Sequence, residues 1–99
     1  MSTNSLTARP DEAPLLVEAL QSYIRDTTQD ALVRAVLRPL CAKLFAAWLH
    51  ETPKPVRLTE AQTLAIGEAA SYIIHYINTQ RHISGSLHDQ LCSYHALTL

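Results

Sequence analysis

His88, Cys92 and His95 stand at i, i+4 and i+7, so in a helical segment all three project from one face. Imidazole nitrogen and thiolate sulfur are the donors that zinc or copper accept, and His75 or His82 would supply a fourth ligand. The chemistry such a set offers is a metal or redox sensor. Against it, structural zinc sites draw ligand pairs from two elements that fold around the ion, and a cysteine beside Leu91 serves equally well as a small hydrophobe. No metal or other cofactor is therefore expected. Five histidines would also suit a pH sensor, but His50 and His82 fall where helices are expected to end, and an imidazole there complements the helix dipole.

Nucleophilic catalysis would have to use Cys92 with a neighbouring histidine, or a serine with a histidine and Asp89. Neither pattern sits in a strand-turn-helix elbow or a glycine-rich oxyanion loop. Gly67 and Gly85 are the only glycines, which removes phosphate-cradling loops as well. The sequence therefore reads as non-enzymatic.

A third chemistry is electrostatic. Arg34, Arg38, Lys43, Lys54 and Arg57 lie between Asp30 and Glu60, opposed by Glu51 alone. A DNA-binding regulator using this basic segment, 34–57, is the alternative function. The connector after His50 is longer than the tight turn of a helix-turn-helix, however, and the helix that would read bases opens with Glu60 and is dominated by Ala and Ile. A recognition helix needs Arg, Lys, Asn or Gln at its exposed start. The net charge of −1 adds no long-range attraction to phosphates, so nucleic acid is not the expected partner.

Elements must position whatever site exists, and composition limits them. In 99 residues, 47% are hydrophobic and 17% charged, below the roughly 25% charged share usual in soluble chains. With 2 Gly and 5 Pro there are too few turn residues for a β sandwich or barrel. The expectation is an all-α bundle of four to five helices in a single domain over residues 11–99, after a disordered tail over residues 1–10. Cys41 and Cys92 are too few for a disulfide framework, which points to a reducing cytoplasm. Residues 1–10 lack the apolar core of a secretory signal, and no run reaches the roughly 18 apolar residues of a membrane span.

The first helix is expected to open between Asp11 and Pro14, where acidic side chains suit the dipole and proline is tolerated, and to run to about Asp26. A second follows a Thr28 or Asp30 cap and runs to about His50. Its seam is Val33, Val36, Leu37, Leu40, Leu44, Ala47 and Trp48, with a kink or split expected at Pro39. Pro53 and Pro55 make Glu51 to Arg57 an extended connector. Thr59-Glu60-Ala61-Gln62 is a capping box that starts the third helix, expected to reach about His82. Ser71 to Ile77 is β-prone by composition, but strict alternation fails at Ile73-Ile74, so periodicity assigns helix. Gly85 is expected to supply a left-handed turn, and Ser86 with Asp89 to cap a last helix through about Leu97.

Two of these helices carry wide apolar arcs. Leu15 to Ile24 sweep about 200° of the wheel, and Ala61 to Ile77 about 220°. Two such arcs exceed what so small a core is expected to absorb, and a large exposed apolar patch marks an interaction site. The expected binding face is therefore Tyr72, Ile73, Tyr76 and Ile77 on the third helix, with Phe45 and Trp48 near the end of the second. The implied function is a protein-binding regulator that occludes a partner's functional surface. An antiactivator or inhibitor of a transcription factor, or a chaperone-like adaptor, works this way, and homodimerisation would complete or extend the bundle. On that reading a charge at Ile73 or Tyr76 abolishes partner binding while the fold survives.

Overall fold

The structure is a computed structural model that describes residues 4–26, 31–48 and 55–98. Its elements are β1 (Asn4–Leu6), α1 (Ala13–Asp26), α2 (Ala31–Ala47), β2 (Val56–Leu58), α3 (Glu60–Gln80) and α4 (Gly85–Ala96). Among the described residues the chain is thus a mostly helical globule of four helices with a small two-stranded sheet. The expected Thr28 or Asp30 cap, the end of the second helix at His50, and Lys54 lie outside the described residues.

Capping chemistry sets the helix starts. Ahead of α1, the Arg9 carbonyl accepts the N–H groups of both Glu12 and Ala13 at 2.9 Å, and Pro14 sits exposed in the first turn, where its missing donor costs nothing. Thr59 caps α3 as its sequence predicts: its hydroxyl accepts Gln62 N–H at 3.1 Å, and Gln62 Oε1 accepts Thr59 N–H at 2.9 Å. At α4 the structure corrects the expectation. Ser84 is the N-cap and Gly85 the first helical residue, and neither glycine has positive φ. The turn from α3 into α4 is closed by side chains instead, with Asn78 Oδ1 accepting Ile83 N–H at 3.0 Å.

α2 runs unbroken through Pro39, so of the kink or split expected there the split does not occur. Proline removes the bond to the Ala35 carbonyl, but both residues are exposed, so water can replace it. The predicted seam holds: Leu37, Leu40, Leu44 and Trp48 are buried, with Val33, Val36 and Ala47 packed at its margin.

α3 is the central element. It packs against α1, α2, α4 and β2, and its buried residues include Ala65, Ile66, Gly67, Ala69, Ala70, Ile73 and Ile77. A helix surrounded on several sides buries a wide arc within its own chain, so the breadth of that arc needs no second molecule. α1 spends its arc the same way, sending Leu16, Val17, Ala19, Leu20 and Ile24 into the core against α2 and α3.

The sheet corrects both the all-α expectation and the disordered tail. β1 pairs antiparallel with β2 in the register Asn4 to Leu58, Ser5 to Arg57 and Leu6 to Val56. Leu6 is fully buried, and Val56 and Leu58 are buried on either side of exposed Arg57. α4 holds the segment down. The Gln90 side-chain amide accepts Thr7 N–H at 2.9 Å and donates to the Thr7 carbonyl at 3.0 Å, and the Tyr94 hydroxyl donates to the Ser5 carbonyl.

Glu12 joins the same framework from the other side. Its carboxylate is fully buried and accepts both Ser84 N–H, at 2.7 Å, and the Ser84 hydroxyl, at 2.6 Å, at the positive end of α4. Beside it, Arg81 pairs with Asp11 and draws that exposed carboxyl below its ordinary pKa, chiefly through the hydrogen bond. Removing the buried carboxylate strands two donors at once. Glu12→Ala is expected to cost about 2–3 kcal/mol, read as a fall in the thermal midpoint of about 10 °C. A midpoint unchanged within error would show that the carboxylate does not hold α4 in place.

Candidate functional site

α1 and α2 lie against each other in opposite directions and leave a groove open along one side. At one end it widens into a cleft of about 700 Å³ lined by Gln21, Ile24 and Arg25 from α1 and by Arg34, Arg38, Cys41, Ala42 and Phe45 from α2. At the other end a cleft of about 320 Å³ is lined by Ala13, Pro14, Val17, Glu18, Gln21, Phe45 and Trp48. Gln21 and Phe45 border both, so Phe45 is the ridge between them. On α2 the lining residues recur at three- and four-residue steps, one continuous helix face.

Phe45 decides what kind of surface this is. Among the described residues Phe45, at 57% exposure, joins Leu32, Leu64 and Leu97 as the large apolar side chains left exposed, and it is the one aromatic of the four. It is not isolated. Leu32, Ala35, Pro39, Ala42 and Ala46 are exposed on the outer side of the same helix, where Arg38 and Lys43 are the only exposed charges. The small side chains among them let another backbone approach closely.

The electrostatics of the groove are one-sided. Arg25, Arg34 and Arg38 all line the larger cleft, and α2 contains no carboxylate. Arg25 lies 3.6 Å from Asp26 in an exposed pair, an interaction worth little in water. No described carboxylate pairs with Arg34 or Arg38, and among the described residues Glu18 is the one acid lining either cleft. Burial raises the Cys41 thiol to about 11, so at the floor of this cleft it is a protonated apolar group and not a nucleophile.

The six residues expected to bind a partner divide sharply. Ile73 and Ile77 are fully buried in the core, and Trp48 is buried at the base of the smaller cleft. The physical reason is the central position of α3, which turns these side chains toward neighbouring helices. Tyr72 and Tyr76 are half-buried and stack on each other with ring centres 6.4 Å apart, while Tyr23 of α1 meets Tyr72 edge-on at 5.4 Å. The Tyr72 hydroxyl donates to Asp26 Oδ2 at 2.9 Å and lies 2.6 Å from the Ser22 hydroxyl. Tyr72 is thereby committed to joining α3 to α1. Phe45 alone of the six is strongly exposed.

The histidine and cysteine set does not assemble. Cys92 Sγ contacts the His88 ring at 3.8 Å, but His95 donates Nδ1–H to the Gly67 carbonyl at 3.0 Å. Among the described residues no group of three or more His, Cys, Asp or Glu side chains is placed to hold a metal ion. The basic run is likewise divided. Arg34 and Arg38 face the groove, whereas Lys43 Nζ donates to the Arg57 carbonyl at 2.8 Å and ties α2 to β2.

Among the described residues, no helix is long and apolar enough to cross a membrane. Compared with family models, curated proteins and solved structures, the chain matches none. Sequence reasoning picked out Phe45 but missed Gln21, Ile24, Arg25 and Ala42. The available signal was the row Ala35, Pro39, Ala42, Phe45 and Ala46, apolar residues lying off the seam that α2 turns to the core.

Proposed function

We propose that the chain is a non-enzymatic protein-binding regulator that occludes a functional surface of its partner, and that it does so through the groove-side and outer faces of α2. The observation that carries this reading is the exposed Phe45 ring between two clefts, on a helix whose exposed side is otherwise mostly alanine, leucine and proline. An apolar ridge of this kind gains by leaving water, and aromatic anchors flanked by small residues suit helix-on-helix contact. The α3 face has no comparable ridge, because its isoleucines are spent on the core.

Phe45→Ser is expected to leave stability within about 1 kcal/mol of the parent, since the ring is largely solvated, and to abolish partner capture. Leu97, with the same 57% exposure near the end of α4, provides the control. With the full chain as bait in extracts of its native cell, a partner should be retained by wild type and Leu97→Ser and lost with Phe45→Ser. Equal retention or equal loss with both variants would remove α2 as the binding surface.

A further inference from the structure

The groove's chemistry restricts its occupant. It is apolar at the buried Ile24 and Cys41 and at the Phe45 ridge, while one end carries Arg25, Arg34 and Arg38 with no carboxylate among the described residues that line it. A ligand that satisfies both must bring an apolar stripe and, at one end, negative charge. Arg34 and Arg38 are one helical turn apart, which matches carboxylates at the i and i+4 positions of a facing helix. From Arg34 to Phe45 α2 rises about 16 Å, the length of about three turns. Two antiparallel helices with a groove between them offer the seat on which a third helix packs.

Charge separates this occupant from the other two classes of macromolecule. A second copy of the chain would bring Arg34, Arg38 and Lys43 against the same three cations, with no acid on either α2 to offset them. Like charges held within a Debye length of about 8 Å repel, so self-association through this face is opposed. A nucleic acid would meet the arginines but leave Ile24, Cys41 and Phe45 facing a phosphate backbone that has no use for apolar surface. We propose that the groove takes an acidic amphipathic helix of about three turns from another protein, its carboxylates over Arg34 and Arg38 and its apolar stripe against Phe45. This rests on the assignment of the groove as the partner-binding surface and names the partner's chemistry.

The test is selection of a displayed library of random peptides, long enough for four helical turns, on the full chain. Enriched peptides should carry apolar residues at i, i+3 or i+4, and i+7, with Asp or Glu clustered toward one end. A synthetic peptide of the leading sequence should bind at least tenfold more weakly to Arg34→Glu/Arg38→Glu. It should lose most of its affinity for Phe45→Ser and keep most of it for Arg34→Lys/Arg38→Lys, with circular dichroism confirming each variant as folded. Neutral or basic winners, no enrichment, or peptides indifferent to the double charge reversal would overturn the proposal. So would a Phe45-dependent dimer in sedimentation, or Phe45-dependent binding of duplex DNA. If selection fails while Phe45 still governs capture of a cellular partner, the acidic helix is wrong and the binding surface stands.

Discussion

Ile73→Asp is expected to leave no folded protein at room temperature. The side chain is fully buried in the middle of α3, the helix that touches every other helix. Truncating a buried isoleucine alone costs about 2–5 kcal/mol, and an unpaired carboxylate in its place adds several more. A domain of this size has roughly 5–15 kcal/mol of stability in total and, with so little volume to enclose, falls toward the lower end. The substitution therefore outweighs most or all of it. Loss of the helical circular dichroism signal and of dispersed amide resonances is the expected readout, whereas Ile73→Val should cost only about 1 kcal/mol and stay folded. A folded Ile73→Asp protein would mean that α3 is not the centre of the core.

The second large effect comes from the two glycines, which respond in opposite directions to the same methyl group. A Cβ at Gly67 would stand 2.3 Å from the Tyr94 carbonyl oxygen and 2.8 Å from Thr98 Cγ2, whereas at Gly85 nothing lies within 4 Å. In isolation, alanine favours a helix over glycine by about 1 kcal/mol. At Gly67 that gain is overwhelmed, because the obstacle is backbone and cannot rotate away. α4 would have to retreat from α3, weakening the His95 bond to the Gly67 carbonyl and shifting the helix that carries Gln90 and Tyr94. Gly67→Ala is expected to destabilise by about 1–3 kcal/mol net, and Gly85→Ala to be neutral or slightly stabilising. Paired chemical denaturation curves check the sign at each site. Equal responses would refute the close approach of α4 to α3.

These two sites show which parts of the structure were legible in the chain. Local chemistry was. The Thr59 and Gln62 side chains complete each other's bonds within four residues, and the α2 seam recurs at helical steps whatever packs against it. What was illegible is decided at a distance. Asn4 to Leu6 has no pattern of its own, and it becomes a strand because β2, Gln90 and Tyr94 meet it from fifty to ninety residues away. The arc over Ile73 and Ile77 correctly announced burial, but an arc states how much surface is covered and not by what. The surplus was assigned to a partner when α1, α2 and α4 supply the cover. Conversely, the outer face of α2 attracted no notice because alanine and proline score as weakly apolar one at a time. Only their common exposure around Phe45 makes a surface of them.

The tie between Thr7 and Gln90, with Tyr94 reaching Ser5, also fixes an order of events at the ribosome. Gln90 and Tyr94, which hold β1 down, are synthesised more than eighty residues after it, so the segment lacks those anchors until α4 has left the exit tunnel. Glu12 waits with it, since Ser84 supplies the donors that justify its burial. The globule can begin to collapse around α1, α2 and α3, but it cannot close until α4 is made. A product ending before Ser84 would thus carry β1 without its Gln90 and Tyr94 anchors and the Glu12 carboxylate without its two donors.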